Sequence, residues 1–305
     1  LYDHQKDKNR SFDAHYDWRP SSTVDVRFDA FFDRKTLTYI SKFEEFWNNP
    51  VDTVRTVTTY NKRSSGLTGR IQKSFRNTSY SGGIDWLYGS LDYRNEQSGP
   101  FPVSPDKWDG RQRQLDIWSA FSIGIGGKIR PDLSGRIGLV KGRSAQPSYN
   151  FGAIYDLSPN WQMKAGFGHA YRLPSLADQF AQDTYTRGNP DLAAEVTYSG
   201  VGSVAFQSTS QRLSARLSVF RQRVKDLIQY AYDPDIYQYV PRNVNRFNSS
   251  GIDISLRSVL IKKLTVDLAA VYQKAEQTLD SSGTYVYVSA FYVPNLTWSL
   301  AADYR

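Results

Sequence analysis

The sequence predicts an all-β protein, a transmembrane antiparallel up-and-down β-barrel of which about fourteen strands are present. Three observations carry that expectation. Apolar and polar residues alternate over stretches of roughly ten residues or more. The connections between these stretches are short and long in near-strict succession. No run of about 18 apolar residues occurs, so no helix can span a bilayer and any crossing has to be made by strands.

Alternation and turn formers together place strands near Asn9 to Trp18, Thr23 to Lys42, Thr53 to Phe75, Gly82 to Asn95, Gln112 to Ile129, Leu133 to Lys141 and Pro147 to Asp156. The series continues with Trp161 to Arg172, Ala194 to Gln207, Arg212 to Ala231, Tyr237 to Val259, Leu264 to Thr278, Thr284 to Tyr292 and Leu296 to Tyr304. In the second strand Val24, Val26, Phe28, Ala30 and Phe32 share one face and Asp25, Arg27, Asp29 and Phe31 the other, because successive side chains point oppositely. The fifth strand sets Leu115, Ile117, Phe121, Ile123 and Ile125 against Asp116, Ser122, Gly124 and Gly126. The twelfth sets Leu264, Val266, Leu268, Ala270 and Tyr272 against Thr265, Asp267 and Ala269. The apolar sets suit lipid, and the polar sets, with Arg27, Asp29, Arg216, Asp253 and Arg257, are expected to line a wet lumen.

Tight turns are expected at Arg19 to Ser22, Arg76 to Ser81, Arg130-Pro131-Asp132, Leu157 to Asn160, Ser208 to Gln211, Lys262-Lys263 and Val293-Pro294-Asn295. Longer loops are expected at Phe43 to Asp52, Glu96 to Arg111, Leu173 to Ala193, Tyr232 to Ile236 and Leu279 to Gly283, with Gly142 to Gln146 a short exception. This is the asymmetry of an outer-membrane barrel, short on the periplasmic side and long outside. Trp161 and Tyr171, at the two ends of one strand, sit where aromatic girdles meet the interfaces.

Composition narrows the class further. Aromatics make up 14% of the 305 residues while hydrophobic residues reach only 40%, which fits strands apolar on a single face better than a dry core. The net charge of +8 is scattered among 30 acidic residues without a basic block, which argues against nucleic acid. With no Cys there is no disulfide framework and no thiolate metal site. His4, His15 and His169 have no zinc-like partners at short spacing, and no metal, cofactor or catalytic residue is expected. His169, Ser175 and Asp178 contain the residue types of a hydrolase triad, the weaker reading of that stretch. Gly124 to Lys128 lacks the Ser or Thr and the helix of a phosphate loop and reads as a glycine-rich strand.

Three outer loops carry candidate ligand grips. The first holds Asp183, Tyr185 and Arg187, the second Tyr232 and Tyr237 with Asp233 and Asp235, and the third Trp47 with Phe43 and Phe46. Aromatic side chains give large contact area at low entropic cost, and loop tips carry them where a ligand arrives. Asp233 and Asp235 fall short of the roughly 6 to 8 oxygens that calcium requires.

The stretch His169 to Phe180, containing Arg172-Leu173-Pro174-Ser175-Leu176, followed by Gly188-Asn189-Pro190-Asp191-Leu192-Ala193-Ala194-Glu195, resembles a signature of TonB-dependent outer-membrane receptors. The family pattern has Pro before the Glu, where this chain has Ala194. Asn243-Val244-Asn245 leading to Ser250-Gly251-Ile252-Asp253, and Val293-Pro294-Asn295 before an alternating strand, continue the likeness, which covers about Pro147 to Arg305.

The resemblance implies a barrel of about 22 strands enclosing an N-terminal plug. It also implies active uptake of a ferric siderophore, a cobalamin or another metal chelate, driven by a TonB complex acting through an N-terminal region. Lipid bilayer and lipopolysaccharide of a bacterial outer membrane would surround it. Residues 1–305 are then one β-barrel domain, a fragment without the plug, the early strands and the last strand, corresponding to roughly strands eight to twenty-one. An open sheet with two unpaired edges is unstable in lipid, so further residues are expected to complete it. The alternative is a passive, porin-like diffusion channel with no plug and no energy coupling.

Overall fold

The computed structural model describes residues 2–45, 52–99, 106–183, 185–261, 263–281, 284–289 and 293–304. Among them fourteen strands form one antiparallel sheet. In chain order they are β1 (Tyr2–Ser21), β2 (Val24–Glu45), β3 (Asp52–Phe75), β4 (Thr78–Ser98), β5 (Asp106–Ile123), β6 (Ile129–Val140) and β7 (Gln146–Ser158). After β8 (Trp161–Arg172) comes a one-turn helix, α1 (Leu176–Phe180), and then β9 (Glu195–Gln207), β10 (Leu213–Asp233), β11 (Gln238–Ile261), β12 (Leu264–Ser281), β13 (Thr284–Ser289) and β14 (Leu296–Tyr304). Each strand from β1 to β12 pairs with the next one in sequence, so the chain climbs and descends as a meander.

Directly opposed residues share a face. Phe12 opposes Phe32 and Ala30 opposes Leu67. From there the same face runs through Trp86 opposite Leu67, Ile84 opposite Ile117, and Ile117 opposite Ile137. Phe12, Phe32, Leu67, Trp86, Ile84, Ile117 and Ile137 are all exposed. A soluble sandwich would bury this stripe under a second sheet; here a single sheet presents it outward, as hydrocarbon requires.

The structure relocates two turns. Gly124 to Lys128 is the connection between β5 and β6 and not strand, with Gly126 and Gly127 at φ +58° and +70°. Two adjacent residues in the left-handed region are what a tight hairpin demands, and glycine occupies it without a Cβ penalty. Arg130-Pro131-Asp132 lies inside β6, where Pro131 opposes Ala153 of β7 and the β5 ladder has already stopped at Asp132. A proline without an N–H is tolerated beside an unpaired edge.

The second relocation changes the order of the last strands. Val293-Pro294-Asn295 does not reverse the chain, because β13 and β14 both pair with β12, at Glu276 to Ser281 and at Leu264 to Tyr272. The Gln273 N–H donates to the Asn295 carbonyl at 2.8 Å, holding the interruption against the same neighbour. Thus β14 descends beside β12 and does not climb as an upward strand, and the parity behind the numbering eight to twenty-one does not hold.

Candidate functional site

The connection between β8 and β9 is tied to the wall at its base. Arg172 Nε and Nη2 donate to the two oxygens of Glu195 at 2.6 and 2.5 Å, across the directly paired ends of β8 and β9. Glu195 Oε1 also accepts the Ile228 N–H of β10 at 2.9 Å, so one buried carboxylate joins three strands. Pro174 is fully buried, and Ser175 caps α1 in a reciprocal capping box with Asp178. The other Asp178 oxygen accepts the Tyr230 hydroxyl at 2.9 Å.

Arg143, which the sequence did not single out, fixes the rest of this segment together with residues of the pattern itself. Arg143 donates to Gln179 Oε1 at 2.7 Å and to the carbonyls of Leu192 and Pro190. The Asn189 N–H donates to the Asp178 carbonyl at 2.8 Å, its amide reaches the Pro241 carbonyl at 3.3 Å, and its side-chain oxygen accepts the Asp191 N–H at 3.0 Å. Gly188 lies so close to the backbone of Gln179 and Phe180 that a Cβ there would collide with it. Asn243 accepts the Ala193 N–H and donates to the Ala193 and Asp226 carbonyls. Arg172, Pro174, Ser175, Gly188, Asn189, Pro190 and Glu195 are therefore the fastening of the connection, each through backbone or buried polar contacts.

Fastened this way, the connection folds over the polar face of the wall. Phe180 packs against Gly110 of β5, where a side chain would displace its ring, and Gln179 Nε2 reaches Gln112 Oε1 at 3.3 Å. Between α1 and the wall lies a cavity of about 810 Å³, lined by Phe31, Leu87, Gln112, Gln114, Arg136 and Tyr171 among others. Below it Asp116, fully buried, accepts from Gln114 Nε2 at 2.8 Å, from the Tyr171 hydroxyl at 3.2 Å and from Arg136. Tyr171 thus leaves the girdle expected of it; Gly138 leaves room for its hydroxyl beside Asp116. Higher on the polar face Tyr60, Tyr93 and Trp108 form a continuous aromatic row, with centroids 5.1 and 5.4 Å apart and the last pair stacked. Their position among polar residues of the same parity was the available sequence signal.

The structure joins two of the three candidate loops. Thr186 forms a parallel bridge with Tyr239, the Tyr239 N–H donates to the Tyr185 carbonyl, and the Arg187 N–H donates to the Tyr239 carbonyl. Asp183 spends its carboxylate on the N–H groups of Tyr185 and Thr186 at 2.9 and 2.8 Å, and is a turn former. Tyr185 and Tyr237 are 75% and 77% exposed at this joined tip. Tyr232 belongs to β10, not to a loop; it opposes Tyr239 and meets its ring at 5.5 Å. The residues 234–237 between β10 and β11 are all that is left of the expected longer loop, and Asp233 is held by Arg242 at 2.7 Å. Trp47 lies outside the described residues.

Several other expectations are settled by pairing. Arg27 and Asp29 bond one another at 2.7 Å, with Asp17 and Arg70 alongside, and Arg257 meets Asp267 at 3.7 Å. These charges are thus paired with one another along the polar face of the wall. His169 stacks on Tyr149 at 4.8 Å and meets Tyr198 edge-on, away from Ser175 and Asp178, which cap α1 together, so no triad forms. Among the described residues no group of three His, Asp or Glu side chains is placed to hold a metal ion.

A single meandering sheet with an apolar outer face, a polar inner face and a connection folded inward over it defines the wall of a transmembrane β-barrel. The family model described as TonB dependent receptor-like, beta-barrel matches residues 1–305. The chain belongs to that family. Among solved structures it is similar to the RagAB peptide transporter, at 15% identity and a TM-score of 0.73, covering 99% of this chain and 47% of that one. It is also similar to the ferric-catecholate import receptor Fiu from K12 E. coli in its closed form, at 13% identity and a TM-score of 0.72, covering 99% and 52%. The ferric yersiniabactin uptake receptor FyuA from Yersinia pestis matches at 12% identity and 0.70, covering 98% and 47%. The chain thus spans about half the length of the structures it resembles. No curated protein matches the sequence.

Proposed function

We propose that this chain is the barrel part of a TonB-dependent receptor in the outer membrane of a Gram-negative-type bacterium, importing a scarce ligand such as a ferric siderophore, a cobalamin or another metal chelate. The observation that carries the reading is the inward-folded β8–β9 connection, fastened by Arg172 and Glu195 over a cavity on the polar face of a family-defined wall. The fastening joins the neighbouring strands β8, β9 and β10 and holds the connection in one shape over the inner wall, the pre-organised surface that ligand capture by a receptor needs.

No covalent chemistry is required. Exposed Tyr185, Tyr237 and Arg187 at the joined loop tips meet the ligand first, and the aromatic row of Tyr60, Tyr93 and Trp108 offers a second contact surface on the inner wall. Energy reaches the site through a plug and a TonB complex. Solved proteins of the same fold described as ferric-catecholate and ferric-yersiniabactin receptors support a metal-chelate ligand. The test is growth of a deletion strain under iron limitation and under cobalamin limitation. Impaired growth in one condition, restored by the gene, supports the reading and names the ligand group; unchanged uptake of both removes both candidate ligands.

A further inference from the structure

The apolar face changes chemistry abruptly above Phe12 and Phe32. Arg10 of β1 lies directly opposite Arg34 of β2, and Arg34 directly opposite Arg63 of β3, all three exposed. Like charges directly opposed destabilise a sheet, and this face of these strands does nothing to relieve them. Beyond the row it continues with Lys8 and Lys6 on β1, Thr36 and Thr38 on β2, and Asn61 and Thr59 on β3. Asp7, Asp13, Asp17, Asp25, Asp29 and Asp33 all take the opposite parity and face the lumen. Among the described residues Arg10, Arg34 and Arg63 form no ion pair, although Arg27, Lys35 and Arg70 on the same strands do. The carboxylates of this face on β4 and β5 are Asp92, Glu96 and Asp109: Glu96 pairs with Arg94, Asp109 meets Arg111 at 3.7 Å, and Asp92, opposite Asn61, forms no ion pair with Arg63 among the described residues.

Height along the barrel says what lies beside the row. On β2 the apolar face runs Val24, Val26, Phe28, Ala30, Phe32 from the short turn upward before it reaches Arg34. Ten residues rise roughly 33 Å along a strand. At a tilt of about 35–45° that is roughly 25 Å of membrane, the height of an outer-membrane barrel's apolar band. The three guanidiniums therefore stand at the outer edge of the hydrocarbon, among the headgroups of the external leaflet. Adjacent strands are about 4.8 Å apart, so the row is roughly 10 Å wide, the scale of one large headgroup. Guanidinium is the side chain whose fork matches phosphate oxygens in pairs.

We propose that Arg10, Arg34 and Arg63, with Lys8, dock a phosphate-bearing lipid of the outer leaflet, its acyl chains lying along Phe12, Phe28 and Phe32. The uncompensated row is then neutralised by its ligand. This inference rests on the membrane placement given under the proposed function but not on transport, so lipid retention and uptake are measured separately on the same variants.

The full chain, extracted from its own membrane, is placed in phosphatidylcholine nanodiscs containing diphosphorylated lipid A or the same lipid with its phosphates removed, and retained lipid is counted by native mass spectrometry. The phosphorylated form is expected to be retained preferentially. The triple variant R10Q/R34Q/R63Q should retain about tenfold less, while folding in zwitterionic detergent at least as well as the parent because the repulsion is gone. If the triple variant does not assemble, Arg34→Gln alone, which removes the middle charge, should lower retention several-fold, and Arg34→Lys less. Equal retention of the two lipids by the parent, unchanged retention by a folded variant, or full displacement by inorganic phosphate would overturn the proposal. Lost retention with uptake intact upholds it; lost uptake with retention intact overturns it as the role of these arginines.

Discussion

Arg172 and Glu195 close the base of the β8–β9 connection with two parallel hydrogen bonds of 2.6 and 2.5 Å, and Glu195 is simultaneously the acceptor for the Ile228 N–H. The pair is asymmetric. Arg172 is 56% exposed along its side chain, while the Glu195 side chain is 7% exposed, so the carboxylate relies on its partners and the guanidinium can turn to water.

That asymmetry orders the effects of two substitutions. Glu195→Ala leaves the Ile228 N–H and one face of Arg172 without acceptors and is expected to cost about 2 kcal/mol, while Arg172→Lys keeps the charge, loses the fork and costs about 1 kcal/mol. Heat-modifiability on semi-native gels reads both: the folded band should disappear at lower temperature for Glu195→Ala than for Arg172→Lys. The reverse order would contradict the geometry.

Asp116 is fully buried in the wall and has three side-chain donors around it. Asp116→Ala should destabilise the barrel by about 2 to 3 kcal/mol, because Arg136, Gln114 and Tyr171 lose their common acceptor. Gly138→Ala should approach the same loss from the other side, since its methyl takes the space of the Tyr171 hydroxyl. Chemical denaturation in micelles separates these outcomes from the near-neutral result expected of an unpacked glycine such as Gly89.

The β5–β6 turn is a local prediction. Gly126→Ala or Gly127→Ala places a Cβ in the left-handed region and should cost about 1 kcal/mol each, though nothing lies near enough to clash. Slower assembly into micelles, read as delayed loss of the unfolded band, is the expected outcome. Assembly at the parental rate would place the strain elsewhere.

At the loop tips the expectation is functional. Tyr185 and Arg187 contribute backbone groups to the bridge with Tyr239, and Tyr185 is left exposed by it, so the pair Y185A/R187A should assemble normally. Ligand uptake should fall about tenfold if these side chains are anchors. Normal uptake with normal assembly would remove them from the site.

Much of the wall is legible in the chain because its two solvents impose a period of two over long stretches. The alternation Val24, Val26, Phe28, Ala30, Phe32 already fixes which face of β2 meets lipid, and neighbouring strands inherit the choice through pairing. Short-range turn chemistry is less decisive. Arg130-Pro131-Asp132 and Gly124 to Lys128 both satisfy it, and only the end of the β5 ladder shows that the glycines turn and the proline does not.

What the residues determined by themselves is therefore the class of protein, the faces of its strands and the segment from Arg172 to Glu195 that marks its family, since all of these are written in local order and spacing. Tertiary structure alone decided that Asp116 meets Tyr171 from 55 positions away, that Asp183 and Tyr239 belong to one tip, that β13 and β14 share an edge, and that three arginines stand in a row. Those are matters of register and of long loop closures, whose energies are set by partners far apart in the chain and leave no periodic trace within it.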